Sequence, residues 1–306
     1  MRLRKRFLIH MILAIFIANA ANKFFIGDLE YEKEHQFYGR ILEFRGDAPD
    51  QYRIIPLLGI KVVWEGLKLV KAHVPFSNAL LVFNFFCAFG LLEFFYQLMG
   101  HHRVRIRILF NLLFASLYIY TQYTGWRPDT LGLLFLCTAY CMYFPFARPG
   151  WRSAILQILG ILVLSFSRSD MALIYGCFVA FYFEQRVWLK VCLVALPIIS
   201  QLLLQFIIFP EATYYTTPIM ILDNLKLYYL VQNPASWLIL AFLLIFYNRI
   251  SRYMKRHIYD YPFFYLLVGA YFGLVFIMGR VNEYRLYLPF IPLFMVIDRE
   301  IRQVYP

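Results

Sequence analysis

Residues 78–99, NALLVFNFFCAFGLLEFFYQLM, decide the class of fold. They form an apolar run as long as an α-helix needs to cross a bilayer, about 20 residues. Similar runs recur along the chain. The sequence therefore predicts an all-α, polytopic integral membrane protein with about ten transmembrane helices. The predicted spans cover residues 7–26, 78–99, 107–123, 130–147, 153–167, 170–184, 190–209, 235–248, 262–279 and 284–298.

The composition agrees with this class of protein. Of the 306 residues, 61% are hydrophobic, 20% are aromatic and only 16% are charged, whereas a soluble domain carries about 25% charged residues. The net charge of +12 comes from short basic clusters between apolar runs, where the flanking charges of membrane proteins lie. This distribution argues against a nucleic-acid-binding protein. The five cysteines all lie inside apolar runs, which indicates packing rather than a disulfide framework.

One apolar stretch, RIIPLLGIKVVWEGLKLVK at residues 53–71, is predicted not to span. Lys61, Glu65 and Lys68 have a spacing that places all three on one helix face. A helix with one charged face is typical of the membrane surface. The sequence therefore predicts amphipathic, interfacial helices within a large external loop at residues 27–77.

The basic residues predict the orientation of the chain. Lys and Arg gather in cytoplasmic loops, so the cluster at residues 2–6 places the N-terminus in the cytoplasm. With residues 53–71 at the interface, the basic loops at 103–107 and 249–256 and the C-terminal tail lie on the same side. Residues 210–234 then form a second external segment. Residues 1–306 are predicted to be a single transmembrane domain, because no repeat or linker is visible.

Arginine and acidic residues are neighbours at three predicted external span ends. Charges near membrane depth are costly, so they pair with one another or line a wet cavity. Arginine suits bidentate phosphate binding, and such a cavity would suit an anionic lipid headgroup and a general base. Ion pairs that lock helix ends together are the structural alternative for each pair. The groups are Arg127 with Asp129, Arg168 with Asp170, and Arg280 with Glu283 and Arg285.

The order of these motifs resembles the GT-C superfamily of membrane glycosyltransferases, which use polyprenyl-phosphate sugar donors. Asp28-Leu29-Glu30, just after the first span, corresponds in position to the family's external acidic motif. RPDTL at 127–131 resembles the R-P-D-x-L that opens a later span in bacterial members, and RLYLPFIP at 285–292 is similar to their R-x-Y-x-x-P-x-x-P-like element. The chain departs from the family in having D-x-E rather than adjacent D-E or D-D. It is also shorter than members with a soluble C-terminal domain.

The resemblance implies a glycosyltransferase acting on the external, periplasmic face of the membrane. The basic residues predict that both termini are cytoplasmic, and the short length without a eukaryote-type targeting signal favours a bacterial inner membrane. Asp28 is the implied general base, with Glu30 second, and it would deprotonate the acceptor hydroxyl. That hydroxyl would displace the lipid phosphate from the anomeric carbon of the sugar. The implied partners are a polyprenyl-phosphate-linked sugar donor, a glycan, lipid or protein acceptor, and the lipid bilayer.

The resemblance also implies roles for the span-end residues. The implied phosphate or headgroup ligands are Arg127, Arg168, Arg280 and Arg285. Asp129 and Glu283 would orient these arginines or bind the acceptor, and Asp170 is grouped with the same substrate-binding set. No metal site with a clean ligand spacing is indicated. Asp28 and Glu30 could nevertheless hold a divalent cation together with a substrate phosphate.

Other functions fit part of the same pattern. A lipid-linked polysaccharide polymerase or ligase would need the same external residues. A transporter or flippase of lipid-linked glycans would instead place charges within the spans, and Glu93 is the acidic residue inside run 78–99. A carboxyl group at that depth predicts a partner on another helix, such as a Tyr, Asn or Arg. A non-catalytic assembly subunit would tolerate loss of Asp28.

Overall fold

The helices of the described residues confirm the all-α class. The computed structural model describes residues 2–27, 45, 53–100, 102–109, 111–112, 129–146, 150–211, 251–252, 255, 262, 265–266, 269–273 and 289–304. These residues form helices, and no strand occurs among them. The main helices are α1 (Arg2–Gly27), α2 (Ile54–Val70), α3 (Phe76–Leu98), α4 (Asp129–Thr138), α5 (Trp151–Ser167), α6 (Ser169–Tyr182), α7 (Val187–Leu203) and α8 (Phe290–Val304).

Two of these helices leave the regular α-helical pattern at their C-terminal ends. Helix α4 continues as a π-helical turn at Ala139–Tyr143 and a 3₁₀ turn at Phe144–Phe146. Helix α7 continues as a π-helical turn at Leu204–Ile208. Helix α8 also differs from its predicted span, 284–298, because it extends to Val304. Its continuous apolar run ends at Ile297, but its backbone continues as helix through residues 298–304, four of which are charged.

Two described helices are long and apolar enough to cross a membrane by length and composition, Phe76–Leu98 and Val187–Ile208. Shorter apolar helices cover Leu134–Tyr143, Trp151–Ser167 and Ser169–Tyr182. The predicted span at 235–248 lies outside the described residues, and 107–123 and 262–279 are described only in part. The count of about ten spans therefore stays a prediction.

The core is built around α3. Its Ala88, Leu91, Leu92 and Phe95 are buried, at the spacing that lines one side of a helix. Helix α1 packs along α3, with Ala14 in the same core cluster. Helix α6 is buried on nearly all sides, from Met171 to Ala180. A helix that is apolar all round occupies the interior of an assembly.

Helices α5, α6 and α7 pack against one another. The turn between α5 and α6 is the single residue Arg168. Gly176 of α6 lies against the backbone of Leu193 in α7, where a Cβ atom would collide with the Leu193 carbonyl group. Glycine therefore permits the close approach of these two helices.

Helix α2 packs against α3 through one face and presents a divided outer surface. Leu57 and Ile60 are buried beside Phe83. Lys61 and Glu65 are exposed, and Lys68 Nζ donates to Glu65 Oε1 over 2.9 Å, which confirms the shared charged face. The neighbouring flank is apolar and exposed, and consists of Leu58, Val62, Leu69 and Val70.

Candidate functional site

Arg168 occupies the break between α5 and α6. Its backbone is extended, with φ −154° and ψ 101°, and it terminates both helices. The Arg168 N–H donates to Leu164 O over 2.6 Å, and its carbonyl accepts from Ala172 N over 3.1 Å. The run SRSD at 167–170 supplies the polar residues that interrupt the apolar sequence. The break therefore places one arginine where two helix ends meet.

The guanidinium of Arg168 holds Asp170 in a two-point contact. Nε donates to Asp170 Oδ1 over 2.8 Å, and Nη2 donates to Asp170 Oδ2. This fork arrangement is the strong form of an arginine–carboxylate pair. The Arg168 side chain is 6% exposed and that of Asp170 is 28% exposed. Asp170 is thus the accessible member of the pair, and Arg168 is placed to orient it.

Two further elements hold this break in position. Ser169 Oγ donates to Gln201 Oε1 on α7 over 3.0 Å. The hydroxyl of Tyr271, from the helical residues 269–273, donates to Asp170 Oδ2 over 3.5 Å. The carboxylate of Asp170 is therefore contacted from its own turn and from a distant part of the chain.

The pair lies below the end of α7. Because Ser169 contacts Gln201, the pair lies beside Gln201 along α7. Helix α7 with its π-helical turn continues to Ile208, a further rise of roughly 10 Å at 1.5 Å per residue. Three residues beyond Gln201, Leu204 is fully buried, and Ile54 and Phe166 pack against it. Ile54 is the first residue of α2. The start of α2 thus lies beside the helix ends that surround Arg168 and Asp170.

The other predicted site residues differ in how far the structure covers them. Of the three predicted arginine–acid groups, Arg168 and Asp170 are brought together. Asp129 begins α4, and its backbone alone is described. The rest of the set lies outside the described residues, namely Asp28, Glu30, Arg127, Arg280, Glu283 and Arg285.

A second polar cluster surrounds Glu93 at the opposite end of the helices. Arg6 Nη2 lies 3.2 Å from Glu93 Oε2, and His10 Nδ1 lies 2.8 Å from Glu93 Oε1. Asn111 Nδ2 lies 3.0 Å from His10 Nε2 and also donates to Leu92 O. The prediction of a partner on another helix is confirmed, and Arg6 is one such partner. His10 and Asn111 were missed, although the i, i+4 spacing of Arg6 and His10 was a signal.

The described residues contain no group of three or more His, Cys, Asp or Glu side chains that could hold a metal ion. Comparisons with protein families, with characterised proteins and with solved structures found no match to this chain.

Proposed function

We propose that this chain is a membrane glycosyltransferase that uses a polyprenyl-phosphate-linked sugar at the external face of a bacterial inner membrane. In this proposal about ten helices span the bilayer, and both termini are cytoplasmic. The observation that carries the proposal is the recessed position of the Arg168–Asp170 pair below the end of α7.

The length of α6 supports a recess at membrane depth. Its 14 residues would extend about 21 Å, whereas the hydrocarbon core is about 30 Å thick. At one end, Glu184 and Arg186 are exposed beyond the helix, as expected at a boundary with water. The part of the hydrocarbon core that α6 does not cross would then lie at the Arg168–Asp170 end. Charges at that depth pair with one another or line a polar cavity, and the partial exposure of Asp170 favours a cavity beside the pair.

The chemistry of the pair suits a sugar better than a bare phosphate. Arg168 and Asp170 carry opposite charges and contact each other at two points, so the pair has no net charge. It would therefore not attract an anion strongly. A carboxylate held in place can accept hydrogen bonds from sugar hydroxyls. In the proposal Asp170 binds such a hydroxyl, Arg168 is a positioning residue, and phosphate binding passes to Arg127, Arg280 and Arg285.

The proposed reaction has one displacement step. Asp28, or Glu30, takes the proton of the acceptor hydroxyl. The acceptor oxygen bonds to the anomeric carbon as the bond from that carbon to the phosphate oxygen breaks. The lipid phosphate leaves with the electron pair, and arginines stabilise its charge. Ile54, packed beside Leu204, would bring the start of α2, within the external loop, to the same recess.

A transporter is the second candidate, because a specific observation favours it. His10 is 2% exposed and lies between Glu93 and Asn111. Linked titratable and polar groups inside a helical bundle are the usual components of proton-coupled transport. A transporter would move labelled lipid-linked glycan across vesicles without breaking the sugar–phosphate bond.

The test is sugar transfer by the purified full-length protein, with labelled polyprenyl-phosphate sugars as donors and membrane extract as acceptor source. We expect transfer by the wild type and a loss of about 10²–10⁴-fold in Asp28→Asn, the range for removing a general base. Asp170→Asn should raise the donor or acceptor KM more than it lowers kcat. Glu184→Gln is the matched control, since this carboxylate is exposed at the other end of α6.

The controls separate loss of activity from loss of folding. Each variant is compared with the wild type by size-exclusion chromatography and by thermal unfolding. Wild-type protein that transfers no sugar from any donor, or a folded Asp28→Asn and Glu30→Gln pair that both transfer normally, would refute the proposed reaction. Transport without bond cleavage would support the second candidate.

A further inference from the structure

Two arginines lie over one tyrosine ring at the end of the bundle opposite Arg168. The guanidinium carbon of Arg6 is 4.8 Å from the Tyr96 ring centroid, and that of Arg107 is 4.3 Å from the same centroid. Arg6 comes from α1, Tyr96 from α3, and Arg107 from the helical residues 104–109. Three separate elements thus place two cations around one aromatic ring.

The charge of this cluster is not balanced within the described residues. Glu93 is the carboxylate in contact, and it pairs with Arg6. Arg107 donates through Nε to the backbone carbonyl of His102 over 3.0 Å, and no described carboxylate forms an ion pair with it. Arg6 Nε is buried and makes no hydrogen bond to the described residues. Lys5, Arg103 and Arg105 are exposed nearby in the sequence. The cluster therefore carries positive charge that the described carboxylates do not balance.

Exposed apolar side chains accompany both arginines. Phe7 follows Arg6 in α1 and is half-exposed, and it packs edge-on against Phe89. Val104, Ile106 and Leu109 are exposed on the segment that carries Arg107. An anion that also covers this surface must have an apolar part. A free inorganic anion would leave these side chains uncovered.

We infer that Arg6, Arg107 and Tyr96 form a binding site for the phosphate headgroup of an anionic phospholipid in the cytoplasmic leaflet. The guanidinium groups bind the phosphate oxygens, for which their fork geometry is suited. The acyl chains lie against the apolar side chains next to them. The site requires that the chain lies in a bilayer, but it does not depend on the proposed sugar transfer, because it is at the other end of the helices.

The test uses native mass spectrometry of the full-length protein in detergent, titrated with phosphatidylglycerol or with phosphatidylcholine of the same acyl chains. We expect wild-type protein to retain phosphatidylglycerol preferentially. Arg107→Gln should weaken that binding by roughly fivefold to tenfold, since one basic residue near a lipid surface contributes about 1 kcal/mol. Arg186→Gln is the matched control, because Arg186 is exposed at the same end without an aromatic ring contact in the described residues.

A charge-conserving variant and a competition experiment complete the test. Arg107→Lys keeps the charge without the planar fork, so it should bind phosphatidylglycerol with intermediate affinity, and it serves if Arg107→Gln does not fold. Inorganic phosphate, added as a competitor, should not displace the lipid. Equal binding of the two lipids, wild-type affinity in a folded Arg107→Gln or Arg107→Lys, or displacement by inorganic phosphate at the lipid concentration would each overturn the inference.

Discussion

His10 Nδ1 lies 2.8 Å from Glu93 Oε1, although the two residues are 83 positions apart in the sequence. This contact joins α1 to α3 inside the bundle. His10 Nε2 lies 3.0 Å from Asn111 Nδ2, an amide nitrogen that can only donate. Nε2 therefore accepts, and Nδ1 carries the proton that is donated to Glu93. Arg6 supplies a positive charge beside Glu93.

Removal of the Glu93 carboxylate should destabilise the α1–α3 pair. In Glu93→Leu, Arg6 loses its ion pair and the buried His10 loses its acceptor. We expect a loss of roughly 1–3 kcal/mol, because a buried donor without a partner bears its desolvation cost. Thermal unfolding in detergent, followed by tryptophan fluorescence, measures the change.

The matched control is Glu65→Leu on α2. Glu65 is also a carboxylate paired with a basic residue, but it is exposed and its partner Lys68 is three residues away. Exposed pairs contribute about 0–1 kcal/mol, so this variant should unfold close to the wild type. Equal destabilisation of the two variants would show that the His10–Glu93 contact does not hold α1 in place.

Sequence and structure agree best where the signal is local. The apolar run of α7 and the polar break at Arg168 could be predicted, because run length and a charged interruption are read within a few residues. The sequence also predicted that Glu93 has a partner on another helix, with arginine among the expected residue types. The identity of His10 as the second partner could not, since nothing local joins residues so far apart in the chain.

Helix ends were harder to predict than helix centres. The predicted last span ended at 298 because the continuous apolar run stops there, whereas α8 continues to Val304. Backbone hydrogen bonds do not require apolar side chains, so a helix can continue beyond the apolar layer. The π-helical turns after α4 and α7 have no sequence signature of comparable strength.

The contact of Gly176 with Leu193 predicts a large effect from one added methyl group. In Gly176→Ala the new Cβ would meet the Leu193 carbonyl group, and a backbone cannot rotate away as a side chain can. We expect a loss of about 1–3 kcal/mol from overpacking. Thermal unfolding of the purified variant measures it.

Gly66→Ala, the same change from glycine to alanine, should have the opposite effect on stability. Gly66 is exposed in α2, and beyond its own helix backbone and chain neighbours no atom lies within 4 Å of the position that a Cβ atom would take. Alanine in a helix interior is favoured over glycine by about 1 kcal/mol, so this variant should match or exceed the wild-type stability. A Gly176→Ala protein as stable as Gly66→Ala would contradict the close α6–α7 packing.

The unequal burial of Arg168 and Asp170 predicts an asymmetric mutant cycle. Asp170→Asn leaves the charge of Arg168, which is 6% exposed, without its carboxylate, so we expect a loss of about 3–5 kcal/mol. Arg168→Gln leaves Asp170, which water can reach, and should cost less. The double variant should be more stable than the sum of the two losses implies. Additive losses in denaturant unfolding would show that the pair does not act as a unit.

The divided outer surface of α2 predicts opposite labelling of two adjacent residues. Lys61 lies on the charged flank, and Val62, which is 70% exposed, lies on the apolar flank. If α2 lies in the interface plane, its charged flank faces water and its apolar flank faces lipid. Cysteines are placed singly at these positions in a chain whose five native cysteines are replaced by alanine. A membrane-impermeant maleimide should then label Lys61→Cys in intact cells and leave Val62→Cys unmodified. Both should react in denaturing detergent.

Lys71→Cys, at the exposed end of α2, should label from the same side as Lys61→Cys. A spanning α2 would instead protect Lys61→Cys at mid-membrane, and it would reverse the side of every later loop, including the one that carries Arg107.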